Sequence, residues 1–348
     1  MNILEYVDNN NEEISSDNIN NVDLLILSEI CYFKFERFFE KYNVTKIKIK
    51  DLSYTLDNEL LMYNDTKIEL AKKVCQSKRF KEVLITDFIY ELNQEEVKQF
   101  SALTYHINDN LIIPSFRGTD NTFTGWKENF QITYKKKVPA MLRATSYLNT
   151  ISNKYDGDII VTGHSKGGIL SIYSASTFNG DLDRIKMVYS FDGPGFNNDF
   201  KNTKGYTSVE DKIVKFKPYD SLFGALLDDE SKYKTVRANN SFLHSHSPYN
   251  WQVLDNDFVY DLKDSERSLK VAKDINSFFR ETDNSMLEVY IDKIFNVLSL
   301  NQIKYISDVT SNPFILLQLS QVVSSFDPAS RSKVLNIVSQ IMSINASI

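Results

Sequence analysis

The chain of 348 residues carries 40 Lys+Arg against 46 Asp+Glu, a net charge of −6, with 42% hydrophobic residues, enough for one large α/β domain and a smaller appended unit, each with a core. Its basic residues are scattered apart from Lys135-Lys136-Lys137, which argues against nucleic acid as the main partner. Cys31 and Cys75 sit in apolar, helix-like stretches and read as buried thiols rather than a disulfide framework or Cys-rich metal site.

The acidic start, Met1 to Asp8, lacks the basic segment and apolar core of a secretory signal, so a cytoplasmic location is expected. The most apolar stretches, 24–39 and 313–323, are interrupted by polar residues and too short to cross a bilayer. The first hundred residues read as mainly helical, with Asp23 ahead of Leu24-Leu25-Ile26-Leu27 and a second helical pattern over 68–74. Strand-like runs at 100–107 and 111–116 flank Asn108-Asp109-Asn110, a turn-forming cluster that closes a hairpin.

Val138, Met141, Leu142, Thr145 and Leu148 recur at helical spacing, predicting an amphipathic helix that ends near Asp156-Gly157. A strand at 159–161, a Gly-rich turn, a helix at 169–176 and strands at 186–191 and 212–216 follow. Strands alternating with helices imply a largely parallel sheet. From Ser265 onward the strand signals stop and four helices are predicted, at 265–279, 285–298, 313–324 and 329–344. Pro328 after Asp327 suits a helix start, because proline lacks an amide proton that the first turn would leave unpaired.

The strongest chemical signal is Gly163-His164-Ser165-Lys166-Gly167-Gly168, a Gly-x-Ser-x-Gly turn between a predicted strand and a predicted helix. Such a turn presents Ser165 as a nucleophile at the helix N-terminus, where developing negative charge is stabilised. A serine hydroxyl needs a general base. Of His106, His164, His244 and His246, the order Ser, acid, His along the chain leaves the last two, and His246 is preferred. Two acids fit: Asp192 after the first strand beyond the turn, and Asp220 after the second, which is the usual position and therefore leads. The oxyanion amides are assigned to Lys166, next to the nucleophile, and Thr119 in Phe116-Arg117-Gly118-Thr119-Asp120, with Arg117 anchoring that loop. Residues 121–137 form either a lid or a surface excursion pinned by Trp126.

Together these residues resemble the class 3 lipases, with Phe-Arg-Gly-Thr before the lid segment, Gly-His-Ser-x-Gly-Gly at the turn, and Tyr189-Ser190-Phe191-Asp192-Gly193-Pro194 at a strand end. The chain is more closely similar to a bacterial family of lipase-like α/β-hydrolases that keeps Gly-His-Ser-Lys-Gly-Gly, Ser-Phe-Asp-Gly-Pro-Gly-Phe and a His-x-Pro-x-x-Trp segment, here His246 to Trp251. The resemblance implies an α/β-hydrolase fold, a mostly parallel central sheet flanked by helices, over 1–262 with a helical part over 1–80, and a helical C-terminal extension over 263–348. It implies a triad of Ser165, Asp220 and His246, although Asp192 stands at or beside a position where the lipases have glycine.

The expected activity is hydrolysis of carboxylic, lipid-like acyl esters through an acyl-enzyme, with no metal or organic cofactor required. The partner expected is a small acyl ester, with peripheral lipid contact allowed. A non-catalytic binding or regulatory protein on the same scaffold is the alternative.

Overall fold

Eight strands form one sheet whose spatial order repeats their chain order: β1 (Lys46–Lys48), β2 (Leu84–Asn93), β3 (Lys98–Asn108), β4 (Leu111–Phe116), β5 (Asp158–His164), β6 (Ile185–Phe191), β7 (Ile213–Pro218) and β8 (Lys234–Val236). β1 to β4 pair antiparallel and β4 to β8 pair parallel. The computed structural model describes residues 1–55, 65–120, 122–227, 232–240, 242–261, 263–302 and 312–345; Asn121, the first residue of the expected lid segment, lies outside them.

The change from antiparallel to parallel pairing follows the connections. Short turns join β2 to β3 and β3 to β4, the latter at Asp109-Asn110, where the Asn110 amide donates to Asn108 Oδ1 at 2.9 Å. Parallel neighbours need a crossover, and α5 (Phe123–Ile132), α6 (Pro139–Lys154) and α7 (Lys166–Ser176) supply the first two. Helices α1 (Ile3–Asn9), α2 (Asn21–Ile30), α3 (Phe35–Tyr42) and α4 (Asp65–Gln76) precede them in the chain.

Alternate strand residues feed opposite faces, as a period of two requires. Leu103, Tyr105 and Ile160 join a core with α1, α2 and α4, while Ala102, Ile159 and Val161 join a second core with α6 and α7. The sheet is therefore covered on both sides. The first hundred residues are less helical than their sequence suggests, because they also hold β1, β2 and the start of β3. In β2 the alternation is broken by a register shift between Thr86 and Ile89, where Asp87 takes φ 53°; such a bulge obscures the two-residue period.

Beyond β8 come a small hairpin, β9 (Val253–Leu254) with β10 (Asp257–Phe258), and short helices α8 (Asn198–Lys201) and α9 (Lys204–Thr207) lie between β6 and β7. The C-terminal region is helical: α10 (Glu266–Glu281), α11 (Asn284–Leu300), α12 (Pro313–Ser324) and α13 (Pro328–Asn345). The starts of α11, α12 and α13 are set by side-chain caps: Asp283 accepts from the Ser285 amide, Asn312 from the Phe314 amide, and Asp327 from the Ala329 and Ser330 amides. Phe295, Ile291 and Ile315 of this region pack against Phe123 and Trp126 of α5. Among the described residues, no helix is long and apolar enough to cross a membrane. Cys31 and Cys75 are free and buried, and burial pushes each thiol up to about 12.

Candidate active site

Ser165 is the single residue between β5 and α7, and it takes φ 59° and ψ −127°, backbone space that an L-residue occupies only when its surroundings hold it there. Glycine at 163 and 167 makes the turn sterically open: a Cβ on Gly163 would fall on the Gly167 carbonyl, and one on Gly167 would fall on the Phe116 carbonyl. The turn is closed by the Ser165 amide donating to the Phe191 carbonyl and the Gly168 amide donating to the Ser165 carbonyl, both at 2.9 Å. Lys166 and Gly167 are the first residues of α7, so the helix itself leaves their amides unpaired and the helix end carries partial positive charge.

His246 lies on a short 3-10 turn, Phe242–His246. Its Nδ1 donates to Asp192 Oδ2 at 2.6 Å, which in the neutral ring leaves Nε2 as the proton acceptor. Asp192 follows β6 and is fully buried, at φ 49°. Its Oδ2 also accepts from Ser221 Oγ at 2.6 Å and its Oδ1 from the Gly224 amide at 3.0 Å. Three donors on one buried carboxylate fix it in one orientation.

His164, the residue before Ser165, links the serine turn to His246. The two rings lie 4.6 Å apart, and His164 Nε2 donates to the His246 carbonyl at 3.0 Å. Its Nδ1 then accepts from the Tyr32 hydroxyl at 3.1 Å. Burial, reinforced by the neighbouring His246, holds the His164 pKa well below the ordinary histidine value, so the ring is neutral with its proton on Nε2. The face of His246 is also covered by Phe223, 4.2 Å away between centroids.

Asp220, expected to orient His246, does not reach it. Its carboxylate binds the Arg267 guanidinium, with Nε to Oδ2 at 3.0 Å, and accepts from the Phe242 amide at 2.9 Å. Burial alone would push the Asp220 pKa up, but the hydrogen bonds from Arg267 outweigh it and hold the carboxyl below its usual range. The correction has a physical reason: α10 brings Arg267 over the end of β7, while the positive-φ turn at Asp192 aims the earlier carboxylate back at the histidine. His244 is exposed, and His106 is engaged with Thr86 Oγ1 at 2.9 Å on the antiparallel side of the sheet.

Lys166 carries more than an amide. Its buried ammonium donates to the Gln99 carbonyl at 2.7 Å, Gln99 Oε1 at 2.5 Å and Glu128 Oε2 at 3.0 Å. Glu128, from α5, is itself fully buried and accepts from the Gln99 amide at 3.1 Å and the Ala140 amide at 2.9 Å. Thr119 Oγ1 donates to Asn129 Oδ1, the next residue of α5, at 2.8 Å. Glu128 and Asn129 were invisible as site residues in the sequence, where they are ordinary polar positions in a segment read as either a lid or a surface excursion. Arg117 is fully buried with its guanidinium 4.7 Å above the Tyr90 ring.

A cavity of about 440 Å³ adjoins α7, walled on one part by Ile132, Met141, Ile169, Phe196 and Phe200 and elsewhere by charged and polar side chains, among them Lys135, Lys136, Asp199 and Arg280. It therefore touches the helix that Ser165 starts and the loop that follows Asp192.

The sheet, the strand–turn–helix at Ser165 and the flanking helices define a lipase-like α/β-hydrolase fold. Residues 74–296 match the model of the Mbeg1-like family, and the chain belongs to that family. Among solved structures, the crystal structure of M37 lipase is similar over 58% of this chain and 68% of that one, at 14% identity and a TM-score of 0.38. No curated protein matches the chain.

Proposed function

We propose that the protein is a serine hydrolase of carboxylic esters, with Ser165 as nucleophile, His246 as general base and acid, and Asp192 in place of Asp220 as the residue that orients the imidazole. The observation that carries this reading is the 2.6 Å hydrogen bond from His246 Nδ1 to buried Asp192, on a histidine whose ring lies against the residue preceding Ser165. Asp192 holds the tautomer that leaves Nε2 free to accept a proton, and its charge stabilises the imidazolium that forms.

In the first step Ser165 Oγ attacks the acyl carbonyl as His246 Nε2 takes the hydroxyl proton. The negative charge on the carbonyl oxygen is met by the amides of Lys166 and Thr119 at the positive end of α7. Collapse breaks the ester C–O bond, and His246 returns the proton to the departing alcohol. Water, deprotonated by the same nitrogen, then cleaves the acyl-enzyme and restores Ser165. The cavity beside α7 has mixed walls, and its apolar part, Ile132, Met141, Ile169, Phe196 and Phe200, suits an acyl chain, which is the basis for proposing a lipid-like ester.

Fluorophosphonate labelling of wild type and Ser165→Ala tests the reading, followed by p-nitrophenyl esters of rising acyl length. Labelling and turnover in the wild type, both lost in the variant, are expected. A folded wild type that neither labels nor turns over any ester would leave the non-catalytic scaffold as the reading.

A further inference from the structure

We infer that Glu128 and Asn129 of α5 are positioning residues for the oxyanion hole, so that α5 is a fixed strut of the active site rather than a lid. The inference rests on the hydrolase reading above. Each residue proposed to supply an oxyanion amide is tied by its side chain to one of two consecutive residues of α5: Lys166 through Nζ to Glu128, and Thr119 through Oγ1 to Asn129. Among the described residues, no other helix holds both.

The Lys166 tie is stiff for electrostatic reasons. Side-chain exposure is 1% for Lys166 and 0% for Glu128, and a buried charge that loses its partner is strongly disfavoured. The ammonium spends its three protons on Gln99 O, Gln99 Oε1 and Glu128 Oε2, which leaves no alternative arrangement of equal satisfaction. Because Lys166 is the first residue of α7, anchoring its side chain also sets where its amide points. Glu128 in turn is held by the Gln99 amide of β3 and the Ala140 amide of α6, so one carboxylate joins α5, α6, α7 and β3.

The outer face of α5 packs against the C-terminal helices as well. Phe295 of α11 lies 5.0 Å from Phe123 and 5.7 Å from Phe130, and Asp292 pairs with Lys127 at 2.8 Å. Swinging α5 away would bare the Lys166 charge and uncover this apolar contact together. An oxyanion hole acts only if its donors are set to within about half an ångström, and a strut meets that demand where a mobile lid does not.

The test compares Asn129→Leu, Asn129→Asp and the double variant Glu128→Gln/Lys166→Met, using kcat and KM for p-nitrophenyl butyrate, the rate of fluorophosphonate labelling at Ser165, and Tm. Asn129 is half-buried, so its variants fold, and the double variant removes both buried charges and leaves none unpaired. Asn129→Leu is expected to lower kcat about tenfold, with KM within about twofold, because the lost support is felt mainly in the transition state. Labelling should slow by a similar factor, since the phosphonyl oxygen enters the same hole, and Asn129→Asp, which keeps the acceptor, should restore both. The double variant should lose kcat in the same way. Wild-type kcat in both Asn129→Leu and the double variant would overturn the inference while leaving the hydrolase reading intact. So would a loss that tracks Tm and is not rescued by Asp. A wild type inert to ester and probe would remove the hydrolase reading, and this inference with it.

Discussion

Asp192 and Asp220 end successive parallel strands, are both buried, and both serve the turn that carries His246, yet they do so through different atoms. Asp192 accepts from the imidazole itself, whereas Asp220 accepts from the Phe242 amide at the start of the turn and spends the rest of its charge on Arg267. The same residue type at equivalent strand ends therefore divides into an orienting group for the ring and a support for its backbone. What separates them is the neighbouring chain: a guanidinium from the C-terminal helices satisfies one carboxylate, and a hydroxyl, an amide and an imidazole satisfy the other.

The largest effect expected from this division is on turnover. Asp192→Asn should lower kcat by about 10³- to 10⁴-fold, because an amide at this position favours the wrong imidazole tautomer. Asp220→Asn should keep kcat within about threefold of wild type; steady-state kinetics of the two variants on one ester reads the contrast, and a reversed order would return the orienting role to Asp220. Smaller is the effect of Ser221→Ala, which deletes the 2.6 Å donor to Asp192 Oδ2. It should lower kcat by about tenfold, the low end of the scale for one hydrogen bond to a charged acceptor.

The smallest effect is on stability. Arg267→Met should lower the unfolding free energy by about 1–2 kcal/mol at neutral pH, less than a fully buried pair because the Arg267 side chain is 41% exposed. Urea titration measures it. Asp220 has its carboxyl pKa held down in the folded protein, so its stabilisation is fully present above the unfolded value of about 3.9 and is lost as the pH falls through the lower folded value. The gap in stability between wild type and Asp220→Asn should thus be constant above about pH 5 and close as acid is added below it. A gap that widens in acid would contradict the assignment.

The sequence by itself determined the parts of this protein that depend on near neighbours. Gly163 to Gly168 specify a sharp strand-to-helix turn because any larger side chain at 163 or 167 meets backbone. Asn108-Asp109-Asn110 specifies a hairpin, and the spacing of apolar residues, with Asp327 before Pro328 as a start, marks the C-terminal helices to within a few residues. β2 escaped because its bulge breaks the two-residue alternation on which strand reading depends.

Only the tertiary structure decided which carboxylate meets His246 and what surrounds Lys166. In one dimension Asp220 has the better claim, and the choice was reversed by Arg267, 47 residues beyond Asp220, when α10 packed over β7. Lys166 and Glu128 are 38 residues apart, and nothing local pairs their side chains until the fold encloses both. Hydrogen bonds and ion pairs act over a few ångströms of space without regard to separation along the chain, so pattern reveals local geometry while packing selects the partners.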